Sequence, residues 1–304
     1  MLKIFRIDAS KGDIGMNRIF KIFLFVLWFL IFLLNSGQVV FAARFTSYNF
    51  YTVAGSYYKA GDDIPVYWKS NSSANYTVDF SYSTNNGSTW TYIAQDQYKN
   101  MTGHWIIPTS PVINSNQVKL RIYTHGPAGD DTKDSGTFTV DSTAPNVFNG
   151  TAPGNNSWTN NKRPTFTWEV PTDNFGLDSS PYWIDIGTSL EGSDIVNDGW
   201  NTAANYTPTF DLSDGTYFWR IWARDKAGNE RVTSSYTVKI DTVAPNASTL
   251  SAPADDLWST NARPAFSWSA ATDNSGGSGM HATEPYQLYL NGVGQGWTTS
   301  TSDT

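Results

Sequence analysis

The chain contains no cysteine. That absence excludes disulfides, thiolate metal ligands and a cysteine nucleophile, and it leaves apolar burial to hold any fold together. Histidine is nearly as scarce. His104, His125 and His281 are scattered without helical or hairpin spacing, so neither a histidine metal pair nor a Ser-His-Asp arrangement is visible. The 27 acidic residues lie mostly in turn contexts, and no carboxylate pair stands out for glycoside cleavage. The reading is therefore non-enzymatic. Positive charge is in deficit, with 20 Lys and Arg against 27 Asp and Glu. An acidic surface of this kind argues against nucleic acid and anionic membranes, whose phosphates require Lys and Arg, while suiting cations as ligands. Helical periodicity is missing after Leu34, which predicts an all-β chain.

The one long apolar run, from Ile19 to Leu34, belongs to the front end. Arg18 and Lys21 supply the positive charge before Ile22–Leu34, and Val40-Phe41-Ala42 offers a small-residue cleavage point. Residues 1–42 thus read as a secretory signal, with 1–15 as an upstream extension. The run is shorter than the ~20 residues that span a bilayer, which favours cleavage over a retained anchor. Residues 1–42 carry a net +3, so their removal takes the formal charge from −7 to −10. The expected location is extracellular, secreted or on the cell surface, with a membrane involved only through export or an anchor elsewhere.

What the sequence does have is an echo. Asp141, Ala144, Pro145, Trp158, Arg163, Pro164, Phe166, Trp168, Asp173, Asn174 and Gly176 all recur 100 residues later, as Asp241, Ala244, Pro245, Trp258, Arg263, Pro264, Phe266, Trp268, Asp273, Asn274 and Gly276. Such a period marks an array of like modules, and its length suits a small β-sandwich. The division expected is a first module over 43–140, a second over 141–240 and an incomplete third copy over 241–304. The copies are joined by Asp-x-x-Ala-Pro linkers whose Pro145 and Pro245 limit bending.

Short alternating runs support strands throughout. Ile64–Trp68, Val118–Tyr123 and Thr137–Val140 belong to the first module, where Asn86-Gly87 signals a hairpin. Ser83–Trp90 resembles an Asp-box with Asn85 in place of the Asp, but it occurs once and reads as a turn. In the second module, Phe166 and Trp168 share one face, Tyr182, Ile184 and Ile186 another, and Tyr217, Trp219, Ile221 and Ala223 a third. These alternations predict which side chains form the core.

The segment Leu212–Asn229, flanked by the Asp-x-x-Ala-Pro linkers, resembles the repeats of bacterial Ig-like and fibronectin type III-like surface proteins. The resemblance covers 141–304 and is looser for the first module. It implies tandem β-sandwiches, with Trp168 and Trp268 packing in the core and Tyr217 forming a tyrosine corner. It specifies architecture and not activity.

Two sets of residues are candidate sites. Loop convergence at one end of such a sandwich would gather Asp141, Asp173, Asn174, Asp225 and Asn229, with Asp241 and Asp273 beginning a second cluster. Hard carboxylates with amide and backbone oxygens suit Ca²⁺, although the same residues are ordinary turn formers. The linker also resembles that of cadherins, where Ca²⁺ stiffens module junctions. The second set is aromatic. The alternation places Trp183, Phe218, Arg220 and Trp222 on the outer face, with Asp185 also outward, as a strip able to stack on sugars or protein side chains. The functional expectation is a non-enzymatic adhesion and spacer stalk. Its partners would be a glycan or protein on a neighbouring surface, or copies of itself. The alternatives are an accessory region, possibly carbohydrate-binding, of a secreted carbohydrate-active enzyme or protease, and a structural envelope-layer protein.

Overall fold

The computed structural model describes residues 45–70, 77–97, 100–125, 130–197 and 199–304. The expected leader at 1–42 lies outside the described residues. All regular structure among the described residues is strand, and no helix there is long and apolar enough to cross a membrane. The chain is all-β, as the lack of helical periodicity predicts. The described residues divide into two compact units, one drawing on 45–54 and on parts of 63–105 and 117–138, the other on 55–62, 106–116 and 139–304.

In the first unit, Phe45–Phe50, Asp63–Ser70 and Asn100–Ile106 form one sheet in that order, the first two strands antiparallel. Thr77–Ser83 pairs with Thr91–Gln97 on one side and Asn114–His125 on the other. Ile64, Val66 and Trp68 alternate inward with their neighbours more exposed, and they meet Val78, Phe80, Leu120 and Ile122. Each of these seven is at most 1% exposed, so the apolar face anticipated from the alternation is a dry core. The Asn86-Gly87 turn has φ of 56° and 90°, the left-handed pair a tight hairpin requires. Asn85 Oδ1 accepts the Thr89 amide at 2.9 Å, and the Trp90 indole donates to the Gly87 carbonyl at 3.0 Å. The Asp-box-like stretch is thus a self-bonded turn.

The second unit contains the clearest sandwich. Its strands are β1 (Gly150–Ala152), β2 (Ser157–Thr159), β3 (Phe166–Trp168), β4 (Leu177–Gly187), β5 (Val196–Asn197), β6 (Asn205–Tyr206), β7 (Gly215–Asp225), β8 (Glu230–Val232) and β9 (Tyr236–Ile240). One sheet runs β1-β3-β6; the other runs β2-β9-β7-β4-β5, with β8 also on β7. Period-2 alternation decides the interior. Phe166, Tyr182, Ile184, Ile186, Trp219, Ile221, Ala223 and Val238 form one buried cluster. Phe166 meets Trp219 edge to face at 5.2 Å, and Tyr236 stacks on Trp219 at 4.8 Å. The Tyr217 hydroxyl donates to the Ser213 carbonyl at 3.0 Å, which is the corner that the resemblance implies.

The third copy repeats this frame in part. The Asn146 amide donates to the Thr172 carbonyl, and the Asn246 amide to that of Thr272, at 2.9 and 2.8 Å. Leu250–Ala252, Phe266–Trp268 and Ser302–Asp303 form a sheet like β1-β3-β6, beside a hairpin of Tyr286–Leu290 and Val293–Thr298. No counterparts of β7 and β9 cover this sheet among the described residues. Phe266 and Trp268 are therefore half-buried where Phe166 and Trp168 are buried.

Candidate functional site

Two arrangements of side chains in the second unit carry chemistry. The first is a group of carboxylates. Asp141 ends the Phe138–Asp141 strand, Asp173 sits in the turn after β3, and Asp225 is the last residue of β7. One oxygen from each lies within 4.8 Å of the others, the only such three-acid group among the described residues. Asp141 is 1% exposed and Asp225 is fully buried.

Local hydrogen bonds orient these acids. Asp225 accepts the amides of Ala227 and Asn229 at 2.8 and 2.9 Å through Oδ1, and the Asn229 side-chain amide at 2.7 Å through Oδ2. Asp173 Oδ2 accepts the amides of Phe175 and Gly176, both at 2.9 Å; Gly176 has φ of 96°, which a Cβ would disfavour. Asp141 Oδ1 accepts Thr143 N at 3.1 Å and Asn174 Nδ2 at 3.2 Å. Asp141 Oδ2 and Asp173 Oδ1 are buried and accept nothing. Burial, and after it the neighbouring acids, pushes the Asp141 and Asp225 carboxyls above their ordinary range.

The structure brings together Asp141, Asp173 and Asp225 of the expected set, while the amides play another part. Asn174 and Asn229 direct their Nδ2 groups at Asp141 and Asp225, and Asn229 Nδ2 also reaches the Asp141 carbonyl at 2.9 Å. They brace the carboxylates as donors. Asp241 and Asp273 do not join a three-acid group. Asp241 Oδ2 accepts the Ser278 amide at 2.7 Å, which draws its carboxyl below the ordinary range, and Asp273 Oδ2 accepts the Gly279 amide at 2.6 Å.

The residues at 141, 173 and 225 fit a divalent cation. They offer hard oxygens, two of them buried and unpartnered, in the donor class that Ca²⁺ takes.

The second arrangement is aromatic. Trp183 and Trp222 stand directly opposite each other across β4 and β7. Both indoles donate to Asp185, to Oδ1 and Oδ2 respectively, each at 3.0 Å. Arg220 Nε completes the set at 3.0 Å from Oδ2. Asp185 faces outward by alternation, yet it is only 6% exposed, because the indoles and Arg220 close over it. The expected strip is also shorter than the alternation implies. Phe218 is paired with Gly187, four residues along β7 from Trp222, and does not line the cleft.

Trp200 takes its place. The chain after β4 turns back, and Asn201 exchanges backbone bonds of 3.1 and 2.8 Å with Tyr182. That brings the Trp200 ring to 5.7 Å from Trp183 at 72°, with the Arg224 guanidinium 4.2 Å over its face. Trp183, Asp185, Asn197, Trp200, Trp222 and Glu230 line a cleft of about 300 Å³. Trp200, Asn197 and Glu230 lie beyond what alternation on β4 and β7 can show. The one signal for Trp200 is its counterpart Trp297 in the third copy, which pairs opposite Gln287.

Residues 149–242 match the family described as "Bacterial Ig-like domain". A stretch of 160 residues is 30% identical to exoglucanase B of Cellulomonas fimi, covering 51% of this chain and 13% of the exoglucanase. The chain thus corresponds to a small part of that relative's length. Solved structures with similar folds include the fibronectin(III)-like modules of Clostridium thermocellum CbhA, at 20% identity, 66% coverage of this chain, 93% of theirs and a TM-score of 0.33. Titin domains A168–A170 match at 10% identity, 65% and 66% coverage and a TM-score of 0.42.

Proposed function

We propose that this chain, whose residues 149–242 form a bacterial Ig-like domain, is an exported, non-catalytic spacer and adhesion protein stiffened by a divalent cation. The observation that carries the reading is the acid group itself. Asp141 opens the Asp-x-x-Ala-Pro linker and is buried against Asp173 and Asp225 with one oxygen unpartnered. Burying like charges is costly unless something pairs them. Ca²⁺ would tie the start of the linker to the turn after β3 and to the end of β7. The Mechanism is positional: backbone amides of the β3 and β7 turns and the amides of Asn174 and Asn229 hold the carboxylates convergent. The cation would supply the missing positive charge. Export follows from the basic n-region and apolar run at 18–34.

Limited proteolysis tests this reading. In EDTA the Ser142–Asn146 linker should be cut rapidly, and millimolar calcium should protect it. Equal cleavage in both conditions overturns the cation-stiffened spacer. N-terminal sequencing of the exported chain should begin at Ala43.

The 30% identity to an exoglucanase favours a second reading, an accessory region attached to a secreted carbohydrate-active enzyme. The intact exported polypeptide distinguishes the two. An attached catalytic domain supports the accessory reading, and further Asp-x-x-Ala-Pro repeats with a surface anchor support the spacer.

A further inference from the structure

We infer that the Trp183, Trp200 and Trp222 cleft is a binding site for a neutral sugar ring of a glycan. This goes beyond the spacer reading, and its test stands or falls without reference to calcium or to any attached domain. Three observations carry it.

The walls are rigid before any ligand arrives. Trp183 and Trp222 are held through their indole nitrogens by one nearly buried carboxylate, Asp185, and Arg220 fixes that carboxylate from the side. Trp200 is set almost perpendicular to Trp183. Preorganised aromatic surfaces bind with little further loss of side-chain freedom.

The cationic positions are already filled. Arg220 lies 5.4 Å from the Trp222 ring and Arg224 4.2 Å from the Trp200 ring. Arg224 is itself paired with Asp178 at 3.3 Å, and Asp185 is neutralised by Arg220. An aromatic cage for an ammonium group needs open ring faces and an unpaired acid. Here Trp200 and Trp222 each carry a guanidinium over the ring, the buried acid Asp185 is satisfied, and the second acid, Glu230, stands exposed at the rim while Trp183 is left for stacking, so the fitting occupant is uncharged.

The rim and size then select among neutral ligands. Asn197 is exposed at the edge and Glu230 opposite, giving donors and acceptors around an apolar floor. A volume of about 300 Å³ is at the small end of ligand pockets, and the cleft is open, which suits one ring of a longer chain that continues into solvent. A pyranose presents C–H groups on one face and hydroxyls on its edge, which matches indole walls with a polar rim.

The test is a titration of the purified chain with cellohexaose, xylohexaose, mannohexaose and chitohexaose, with choline chloride as the cationic probe, followed by tryptophan fluorescence and calorimetry. At least one neutral oligosaccharide should saturate the chain, and choline should not. Trp183→Ala and Trp200→Ala should each weaken that binding about tenfold or more. Trp158→Ala, which removes an indole outside the cleft, should leave it unchanged. Asn197→Ala alters only the exposed rim, so it separates lost binding from lost folding; it should keep the wild-type melting temperature and bind several-fold more weakly. No binding by any of the four sugars at millimolar concentration overturns the inference. So does binding of choline in their place, or wild-type sugar affinity in both Trp200→Ala and Asn197→Ala.

Discussion

Replacing Asp141 by Asn should invert the response of the chain to calcium. Asp141 has two carboxylate neighbours whose oxygens lie within 4.8 Å. At an effective dielectric of ~20, each such pair of charges repels by about 3.5 kcal/mol or more before the surrounding amides offset it. Asn removes one charge from two of the three pairs and can turn a donor toward Asp173 Oδ1, which lacks one. The calcium-free variant should therefore be more stable than the parent, by about 1–2 kcal/mol once water and the bracing amides have screened the repulsion. For a domain of ~100 residues that is about 4–8 °C in melting temperature per kcal/mol. With calcium at ~100 times its dissociation constant the parent should gain about 2.7 kcal/mol, and the variant should lose that gain. Scanning calorimetry in EDTA and then in calcium should thus show the two melting temperatures change order. A variant that is less stable in EDTA, or that responds to calcium as the parent does, refutes the reasoning. The pH dependence has a defined sign. The Asp141 and Asp225 carboxyls sit above their unfolded values, mainly through burial. Their contribution to stability is present below the ordinary carboxylate pKa near ~3.9 and is lost as pH climbs through the raised folded values. In EDTA the melting temperature of the parent should fall across that weakly acidic window, and Asp141→Asn should flatten the fall.

Other substitutions probe the frame around the two sites. Asp185→Ala strips the acceptor from two indoles and from the 20%-exposed Arg220, and denaturant unfolding should show a loss of about 3 kcal/mol. Gly150→Ala would drive a Cβ into the Trp219 ring and toward Tyr236, costing about 1–3 kcal/mol by the same measurement. Tyr217→Phe removes only the bond to the Ser213 carbonyl and should cost about 1 kcal/mol without changing the strand content seen by circular dichroism.

The fold was legible in the sequence because period-2 alternation is a direct image of a two-faced sheet. Tyr217, Trp219, Ile221 and Ala223 could face only one way once Arg220 and Arg224 were placed outside, and all four are buried. The acid group was legible for a different reason: turns at one end of a sandwich converge, so Asp141, Asp173 and Asp225 are close in space although far apart in sequence. The orientation of Asn174 and Asn229 was not legible. An amide presents oxygen or nitrogen with equal ease, and only the unsatisfied carboxylates decide for the nitrogen. The cleft was half visible. Strand alternation gives Trp183 and Trp222, whereas Trp200 depends on a return loop after β4 that carries no periodic signal. Asp185 shows the limit of alternation, since an outward position is buried when large neighbours fold over it.

Calcium binding to the EDTA-stripped chain, measured by isothermal titration calorimetry, tests the central claim most directly. One equivalent should bind to the parent, with protons released more strongly toward acid pH as Asp141 and Asp225 ionise. Asp141→Asn should bind none. Titration heats indistinguishable from dilution in the parent, or an undiminished site in the variant, would contradict a cation-held linker.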